Sequence, residues 1–413
     1  MSFNEWKEVK LEDVVDTISK RHKFDKDKII LINTSDVLEG KVLNHEYVQN
    51  ENLKGQFKKS FQKNDILYSE IRPQNKRFAY VDFQSDDYVA STKLMVLRKK
   101  NEMITSNFLY QILKSDDLIN ELQVIAESRS GTFPQITYNE LSRMKIKLPP
   151  LDEQKAIAHI LSTLDDKIEV NNQINKTLEN MAQVIFKQWF VDFEFPNEDG
   201  EPYKSSGGEM VESELGMIPK GWEVVELNKL AKLTMGLSPK SESYNTDYIG
   251  TPLLNGAADF NNGLIKANKF TTQPTRICEK GDLVFCIRAT IGNITFADQE
   301  FCLGRGVAAL KPLSGSYIGL IYFNLDMAME RLKANATGSV ILGLSKPDIN
   351  NLKIILPSED ILNRFSEISN NVLNFKHNFE REIGELIDIR DSLLPKLMSG
   401  EIRAPLDSEG DAS

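Results

Sequence analysis

The stretch that decides the fold starts at Leu148 and reads Leu-Pro-Pro-Leu-Asp-Glu-Gln-Lys-Ala-Ile-Ala-His-Ile-Leu-Ser-Thr-Leu-Asp-Asp-Lys-Ile168. The double proline ends the element that precedes it. A helical pattern then runs on to Phe190, and no Pro or Gly interrupts the chain from Leu151 to Phe195. About 40 helical residues at about 1.5 Å each would span roughly 60 Å. That is much longer than an ordinary globular helix.

An apolar stripe follows this helix in steps of four and three residues, which is typical of a heptad seam. The stripe consists of Ile157, Leu161, Leu164, Ile168, Leu178, Ala182, Ile185 and Trp189. Asn171 and Asn175 continue the phase between Ile168 and Leu178. A stripe of this length predicts that a second helix covers it.

The C-terminal region supplies a second helix with the same alternation and one polar position, Glu382. Its stripe contains Ile361, Phe365, Ile368, Val372, Phe375, Phe379, Leu386, Ile389, Leu393 and Leu397. Pro395 could kink or stop its last turn. The matching lengths favour antiparallel pairing of the two helices, with Asn171, Asn175 and Glu382 fixing the register. The alternative is that each helix packs only on its own globular part.

The sequence on either side of the first helix is an internal repeat. Trp6, Val9 and Leu11 correspond to Trp222, Val225 and Leu227, and Lys145–Pro149 corresponds to Lys353–Pro357. Between these points, residues 64–72 resemble 281–288, residues 88–97 resemble 301–310, and residues 131–141 resemble 338–349. The order is kept while the offset drifts only from 216 to 208. This pattern indicates a duplication of about 200 residues, not a solenoid.

The predicted fold class is therefore mixed α/β (α+β). It has two similar globular domains separated by two long antiparallel coiled-coil helices, with a pseudo-two-fold internal repeat. The expected divisions are domain 1 at 1–150, the central helix at 151–195, a polar linker at 196–215, domain 2 at 216–357, the C-terminal helix at 358–400 and a disordered tail at 401–413.

Charge is spread unevenly over these parts. The net charge is +2 for residues 1–150, −9 for 151–215, +3 for 216–356 and −6 for 357–413. The globular parts are mildly basic and the connecting parts acidic, which is weak support for a polyanion partner of the globular parts. No apolar run approaches the length of a membrane helix, and the first residues do not form a signal peptide. Three cysteines without a C-x-x-C pair favour structural packing in a reducing, cytoplasmic setting.

Motifs for catalysis are missing from the sequence. Its four histidines have no partner at metal-ligand spacing, and no phosphate-binding loop of the Walker type occurs. Gly304–Ala309 mimics a dinucleotide-binding loop, but the repeat argues against that function because the equivalent Ser91–Val96 contains no glycine. A duplicated, catalytically empty chain suits recognition of two sites a fixed distance apart. DNA half-sites have that geometry.

The residues resemble one known family, the specificity subunits of type I restriction–modification systems. The resemblance spans nearly the whole chain. It is most specific at Ile146–Ala158 (Ile-Lys-Leu-Pro-Pro-Leu-Asp-Glu-Gln-Lys-Ala-Ile-Ala), Phe186–Phe193 (Phe-Lys-Gln-Trp-Phe-Val-Asp-Phe) and Gly208–Trp222. The second helix starts less typically, with Leu356-Pro-Ser-Glu-Asp-Ile-Leu-Asn363.

This resemblance implies two target-recognition domains, each reading half of a split, asymmetric site in double-stranded DNA. It implies that the helices set the spacing and dock two methyltransferase (modification) subunits, and that motor–nuclease (restriction) subunits join the complex. The chain itself would be non-catalytic and would hold no metal or cofactor. S-adenosylmethionine, ATP and Mg²⁺ would belong to the partner subunits. The atypical start of the second helix weakens the case that the two methyltransferase docking sites are equivalent.

Basic and polar side chains in each domain are the candidates for DNA contact, since cations hold phosphates and a few polar groups read base edges. In domain 1 they are Arg72, Lys76, Arg77, Lys93, Arg129 and Gln135; in domain 2 they are Arg276, Arg288, Arg305 and Lys346. The candidates for the spacer and partner-binding helices are Ile157, Leu161, Leu164, Ile168, Leu178, Ile185, Trp189, Phe365, Ile368, Phe375, Phe379, Leu386 and Leu393. Two alternatives remain: a duplicated adaptor that bridges two protein partners without DNA, and a specificity subunit of another restriction architecture.

Overall fold

A computed structural model describes residues 6–51, 55–128, 134–261, 263–288, 290–335 and 343–405. The chain forms two compact units, each described here by itself. Unit 1 consists of Met1–Lys167 and Ile387–Ser413, and unit 2 consists of Ile168–Leu386. Each of the two long helices contributes residues to both units.

Unit 1 is built from short strands, four short helices and parts of the long helices. The strands are β1 (Lys7–Lys10), β2 (Val15–Thr17), β3 (Lys28–Ile32), β4 (Val37–Leu38), β5 (Lys41–Val42), β6 (Tyr47–Gln49), β7 (Phe57–Lys59), β8 (Ile66–Ser69), β9 (Phe78–Tyr80), β10 (Tyr88–Ser91), β11 (Leu94–Lys99) and β12 (Lys145–Leu148). The short helices are α1 (Leu11–Val14), α2 (Ser106–Leu113), α3 (Asp116–Glu127) and α4 (Tyr138–Ser142), and the central long helix is α5 (Leu151–Phe190).

Unit 2 repeats most of this order, with additional short strands and with one helix in the place of α2 and α3. Its strands are β13 (Met210–Ser213), β14 (Gly216–Pro219), β15 (Glu223–Glu226), β16 (Ala231–Met235), β17 (Tyr244–Asn245), β18 (Thr251–Leu254), β19 (Phe260–Asn261), β20 (Leu264–Ile265), β21 (Lys269–Thr271), β22 (Ile277–Cys278), β23 (Leu283–Cys286), β24 (Gly292–Phe296), β25 (Phe301–Leu303), β26 (Val307–Pro312) and β27 (Lys353–Leu356). The helices are α6 (Ile318–Asn335), α7 (Lys346–Asn350) and the second long helix α8 (Glu359–Ser399).

The sheets show the same repeat. The order β2-β11-β8-β9 in unit 1 matches β16-β26-β23-β24 in unit 2, and β6-β3-β10-β7 matches the core of β17-β21-β18-β25-β22. In each unit the second sheet contains a parallel pair, β3 with β10 and β18 with β25, among antiparallel neighbours. The pair β1–β12 closes domain 1, and β15–β27 closes domain 2, in the same antiparallel register.

Strand β8 shows why the sheets stack in layers. All four of its residues are buried, although neighbouring side chains of a strand point to opposite faces. Ile66 and Tyr68 pack in the core that includes α2 and α3, while Leu67 packs in the core with the second sheet. Unit 2 repeats the division, because Leu283 and Phe285 lie in one core and Val284 in the other. A strand that is covered on both faces needs apolar side chains at successive positions, and β8 and β23 have them.

The first turn of α5 anchors this helix to domain 1. Glu153 accepts hydrogen bonds from Arg403 and from the Trp6 indole N–H, the latter at 3.0 Å. Gln154 donates to the carbonyl oxygens of Met103 and Pro149 at 2.8 and 2.9 Å. Both side chains are almost fully buried. The corresponding positions at the start of α8 are the buried apolar residues Ile361 and Leu362. The atypical second copy of the motif thus replaces polar anchoring with apolar packing.

The long helices run antiparallel within each unit. In unit 1, Asp165 of α5 contacts Arg390 of α8 at 3.1 Å. In unit 2, Asn171 donates to Glu382 at 3.0 Å, and Glu179 contacts Lys376 at 3.2 Å. The partner residue number in α8 falls as the residue number in α5 rises. The cross-helix bond between Asn171 and Glu382 confirms their predicted place in the seam.

One feature of the predicted seam is wrong. The heptad spacing predicts that Phe375 and Ile389 lie in the buried stripe of α8, but Phe375 is 58% exposed and Ile389 is exposed as well. The buried positions here are Ser369, Leu373 and Glu380, one residue beyond the predicted phase. In this stretch α8 also packs on α6, where a Cβ at Gly319 would clash with the Ser369 hydroxyl and lie 3.4 Å from the Phe365 ring. Two successive steps of four residues, from Phe365 to Ser369 and from Ser369 to Leu373, turn the buried face of α8 away from Phe375. Pro395 lies within α8, which continues to Ser399.

The remaining apolar helix candidates lie at different depths. Ile157, Leu161, Trp189 and Phe365 are buried, while Leu164, Ile168, Leu178, Ile185, Ile368, Phe379, Leu386 and Leu393 are half-buried. Their proposed role in partner binding stays a prediction.

The segment predicted as a linker is hydrogen-bonded throughout much of its length. Tyr203 stacks on Phe195, which stacks in turn on Trp222, and β13 pairs with β14 in a hairpin at Met210–Pro219. Within the predicted tail, residues 406–413 lie outside the described residues.

Candidate nucleic-acid interface

Three of the six predicted DNA contacts of domain 1 lie at one end of the sheet β2-β11-β8-β9. Here the chain leaves β8 and enters β11, and the segment before α4 joins them. The Glu70 N–H donates to the Lys93 carbonyl at 3.1 Å, and the Ile136 N–H donates to the Glu70 carbonyl at 2.8 Å. The Arg72 N–H donates to Pro134 at 3.0 Å. These backbone bonds bring three distant segments side by side.

The side chains on this surface form a mixed polar group. The Lys93 ammonium lies 3.1 Å from the Gln135 amide oxygen, to which it donates, and 3.5 Å from the Glu70 carboxylate. Arg72 is exposed and has a left-handed backbone with φ +45°. This conformation is uncommon for a residue with a side chain and often marks a functional turn. We call Glu70, Arg72, Lys93 and Gln135 face 1.

Two further lysines border face 1. Lys76 also has a left-handed backbone and pairs with Asp116 at 2.8 Å. Lys59, which sequence reasoning missed, donates to the carbonyl oxygens of Thr92 and Leu94 at 3.1 and 2.8 Å. Burial lowers the pKa of Lys59. The only signal for Lys59 in the sequence is its place beside Lys58 in a strand-like run.

Two other candidates in domain 1 are not among the side chains described for face 1. Arg77 donates from Nη1 to the carbonyl oxygens of Ser35 and Val37 at 2.9 and 3.3 Å, so it holds the β4–β5 hairpin. Its predicted contact with DNA stays a prediction. Arg129 lies outside the described residues.

The same sheet end in unit 2 gathers the candidates of domain 2. The Ile287 N–H donates to Gly306 at 2.9 Å, and the Leu344 N–H donates to Ile287 at 2.9 Å, which reproduces the two bonds of Glu70. Arg288 forms a bridge with Gly343, and Lys346 opens α7 two residues after Leu344. The structural match pairs Arg288 with Ile71, one residue before Arg72.

Arg305 and Arg276 extend this surface. Arg305 donates from Nε to the Ser238 hydroxyl at 3.3 Å. The Arg276 carbonyl accepts from the Leu303 N–H at 2.7 Å, at the start of the loop that carries Arg305. All four basic side chains are exposed. We call Arg276, Arg288, Arg305 and Lys346 face 2.

The glycines around Arg305 have a packing role. A Cβ at Gly304 would lie 2.8 Å from the Leu254 carbonyl oxygen, and one at Gly306 would clash with the Asn255 carbonyl. Gly236 is equally crowded by the Gly304 and Val307 carbonyls. Close approach of backbone segments therefore explains the Gly-Arg-Gly sequence that mimics a dinucleotide loop.

Other chemistry is sparse in the part of the chain that the structure describes. Groups of three or more His, Cys, Asp or Glu side chains with metal-binding geometry are absent there. Cys278, Cys286 and Cys302 are free and buried, and burial raises the pKa of Cys278 and of Cys286 to about 12. Among the helices of these same residues, none combines the length and apolar character that a bilayer crossing requires.

Comparison with known proteins identifies the family. The model of the type I restriction modification DNA specificity domain matches residues 4–180 and again 219–385. The HindI type I restriction enzyme specificity subunit of Haemophilus influenzae is 32% identical over 97% of this chain and 100% of its own length. This chain belongs to the type I restriction–modification DNA specificity family. The resemblance seen in the sequence is confirmed.

Two further matches agree. The putative MjaX specificity subunit of Methanocaldococcus jannaschii is 28% identical over 82% of this chain and 78% of its own. The crystal structure of a type I restriction–modification S subunit from M. genitalium has the same fold, with a TM-score of 0.62 at 17% identity over 96% of both chains. The predicted fold class is confirmed, and the matched family is one of specificity subunits. The chain is a DNA sequence-specificity subunit, and a duplicated adaptor without DNA is not favoured.

Proposed function

We propose that faces 1 and 2 are the DNA-contacting surfaces and that each reads one half of a bipartite, asymmetric site. One observation carries this proposal: basic and polar side chains from separate segments converge at the same sheet end in both units. Cations placed there can hold phosphates, and the Glu70 and Gln135 side chains have the groups that read base edges.

The test is methylation mapping in cells that express the chain with its methyltransferase. We expect one bipartite motif with two different halves. The double variant Arg72→Ala, Lys93→Ala should weaken reading of one half, and Arg288→Ala, Arg305→Ala should weaken reading of the other. Lys220→Ala is the matched control, because Lys220 is exposed and pairs with Glu209 in the β13–β14 hairpin. A motif that is unchanged in both double variants would refute the assignment of the faces.

We also propose that the long helices set the distance between the half-sites and dock two methyltransferase subunits. An exposed apolar stripe on α5 supports the docking role. Val170, Met181 and Val184 are 48%, 56% and 63% exposed, and Val191 continues the stripe just after the helix. Their spacing follows one helix face, separate from the buried seam. Exposed apolar stripes of this kind mark interaction surfaces.

The second docking surface differs in chemistry. The positions 208 residues further along, in α8, are Asn378, Ile389, Ser392 and Ser399, and only one of them is apolar. This difference further weakens the case that the two docking sites are equivalent. Met181→Glu should prevent copurification of one methyltransferase chain, while Ser392→Glu should have a smaller effect. Native mass spectrometry of the complexes measures the stoichiometry directly.

We infer that catalysis belongs to the partners. Methyltransferase subunits would bind S-adenosylmethionine, and motor–nuclease subunits would use ATP and Mg²⁺, in the cytoplasm. The family match supports this division, since the matched family is one of specificity subunits. Calorimetry should detect S-adenosylmethionine binding to the complex with methyltransferase but not to this chain alone. Binding by the isolated chain would overturn the assignment.

A further inference from the structure

Three elements of unit 2 meet at one buried lysine. The Lys376 ammonium of α8 donates to the Tyr322 hydroxyl of α6 at 3.1 Å and to the Glu179 carboxylate of α5 at 3.2 Å. It also lies 3.9 Å from the carboxylate of Glu380, one turn further along α8. The Tyr322 ring lies under the ammonium at 5.6 Å from its centroid. We call Lys376, Glu179, Glu380 and Tyr322 the Lys376 cluster.

The Lys376 cluster is largely buried and has an excess of negative groups. Tyr322 and Glu380 are buried, and Lys376 is half-buried. One cation faces two carboxylates. A third carboxylate, Asp326 of α6, accepts a hydrogen bond from Gln183 of α5 at 3.2 Å close by. Burial disfavours the charged form of Lys376, but Tyr322, Glu179 and Glu380 outweigh it and raise the pKa of this ammonium. These contacts favour the positively charged form of Lys376.

The cluster also contacts the sheet region of domain 2. Glu380 lies against Gly263, in the turn between β19 and β20, so closely that a Cβ at Gly263 would clash with the carboxylate. One turn further along α8, a Cβ at Gly384 would lie 3.0 Å from Leu264 of the same hairpin. The Thr295 hydroxyl of β24 donates to the Gly263 carbonyl. The cluster thus joins α5 and α8 to both a helix and a hairpin of the recognition domain.

Apolar packing and charged contacts act differently at such a junction. Burial of apolar surface is non-directional and tolerates small sliding or tilting of one element on another. A buried ion group is satisfied only when its partners are in place, and an unpaired buried charge is strongly unfavourable. Buried polar groups can therefore select one arrangement among several that apolar packing alone would permit.

Unit 1 contains a comparable junction. Lys114, which follows α2, pairs with Asp165 of α5, and Asp165 also accepts from Arg390 of α8 at 3.1 Å. A short helix of the recognition domain, α5 and α8 are again joined by one ionic group, although the residues and their signs are different. Two independent junctions of this kind argue for a positioning role over an accident of packing.

We propose that the Lys376 cluster is a positioning device that fixes the angle of recognition domain 2 on its helix pair, and so determines how strictly the complex demands one gap length between the half-sites. This inference rests on the proposed reading of a bipartite site. Tilting the domain on its helices would move face 2 along the DNA, and loss of the cluster should therefore admit neighbouring gap lengths.

The experiment uses the complete complex with methyltransferase and compares methylation rates on duplexes whose gap is the native length or one base pair shorter or longer. For Lys376→Met we expect the preference for the native gap to fall by about tenfold, which corresponds to about 1.4 kcal/mol. Lys376→Arg should restore most of it. Lys333→Met is the matched control, because Lys333 lies on α6 but pairs with Glu330 on the exposed side.

Lys376→Met leaves two carboxylates unpaired and could for that reason fail to fold. A second variant keeps the test decisive in that case. This second variant is the triple variant Lys376→Met, Glu179→Gln, Glu380→Gln, in which the cluster carries no charge. Neutral replacements of a buried ion group are often tolerated in folded proteins. This variant should fold and still lose the gap preference. An unchanged preference in the folded neutral variant would overturn the inference. Absence of any bipartite motif in the wild-type complex would instead overturn the proposed function.

Discussion

Faces 1 and 2 have the same backbone and different side chains. Glu70, Lys93 and Gln135 of face 1 correspond in hydrogen-bond position to Ile287, Gly306 and Gly343 at the edge of face 2. The cations of face 2 come instead from neighbouring positions, such as Arg305, whose counterpart is Thr92. The two backbone bonds that join the three segments have N···O distances of 3.1 and 2.8 Å in unit 1 and of 2.9 and 2.9 Å in unit 2.

This difference distinguishes two roles: the backbone of the sheet end holds the segments together, and its side chains are the groups that would contact DNA. Backbone bonds do not depend on side-chain identity, so the sheet end can stay constant while the groups that it presents vary. In face 1 the Glu70 carboxylate offsets the charge of Lys93. In face 2 Arg305 instead donates to the neutral Ser238 hydroxyl, and within the described residues the arginines of this face form no ion pair with a carboxylate. The two domains should therefore read different half-sites and differ in how much their affinity depends on salt.

The largest effect should come from removing the difference between face 1 and face 2, by giving both recognition domains the same face. In a chain where Lys7–Leu148 is replaced by a second copy of Glu223–Leu356, both recognition domains carry face 2. The closing strand pairs have the same register, so the inserted domain enters and leaves the chain at equivalent points. We expect methylation mapping to show a motif whose two halves carry the same half-site. Retention of the original domain 1 half-site would mean that face 1 does not read it.

A change in helix length should alter the gap but neither half-site. Four residues inserted into α5 near Asn175 add about 6 Å of helix, against about 3.4 Å per base pair. The hydrogen bond between Asn171 and Glu382 requires a matching insertion in α8 to keep the seam in register. We expect a gap longer by about two base pairs. Methylation mapping that shows an unchanged gap would refute the ruler function.

Single cation removals should separate the two faces. Arg305→Ala should weaken binding of the complex to its DNA about tenfold and reduce the slope of log affinity against log salt by about one. Lys93→Ala should cost less, because Glu70 already offsets its charge. Fluorescence anisotropy over a range of salt concentrations measures both quantities, with Lys220→Ala as the control. Equal losses at both positions would show that the Glu70 pairing is broken on DNA.

The smallest effect concerns stability. Burial raises the pKa of Glu380 to about 7 against an ordinary value of 4.5, although Lys376 opposes the shift and Glu179 adds to it. The other titratable groups at this site both come from α6: Tyr322, which belongs to the cluster, and Asp326, which lies beside it. The folded state holds the Glu380 proton more tightly than the unfolded chain. The charged carboxylate therefore destabilises the fold progressively from about pH 4.5 to about pH 7, and not below.

Glu380→Gln should accordingly stabilise the protein by about 1–3 kcal/mol at pH 8 and by much less at pH 5. Urea denaturation at the two pH values measures the difference. The exposed Glu385→Gln is the control, since Glu385 pairs only with Arg381 at the surface, at 3.8 Å. Destabilisation by Glu380→Gln at pH 8 would show that the contact with Lys376 outweighs the cost of burying the carboxylate.

Sequence reasoning succeeded where the signal was periodic or repeated. The long helices, their antiparallel pairing and the duplicated domains follow from hydrophobic spacing and from the repeated motifs. It was less successful where a third element intervened. Phe375 fits the heptad, yet it is exposed in the stretch where α8 also packs on α6. The sequence also did not indicate that Arg77 donates to the backbone carbonyls of Ser35 and Val37, and its predicted contact with DNA stays a prediction.

The sequence by itself determined the duplication, the two long antiparallel helices and the family, because hydrophobic period and repeated motifs are properties of the chain. Only the tertiary structure decided which side chains share a surface, such as Lys93 with Glu70 and Gln135. It also revealed the buried cluster around Lys376, whose members lie up to 201 positions apart. Contacts of this kind depend on three elements meeting at once, and no local pattern records that meeting.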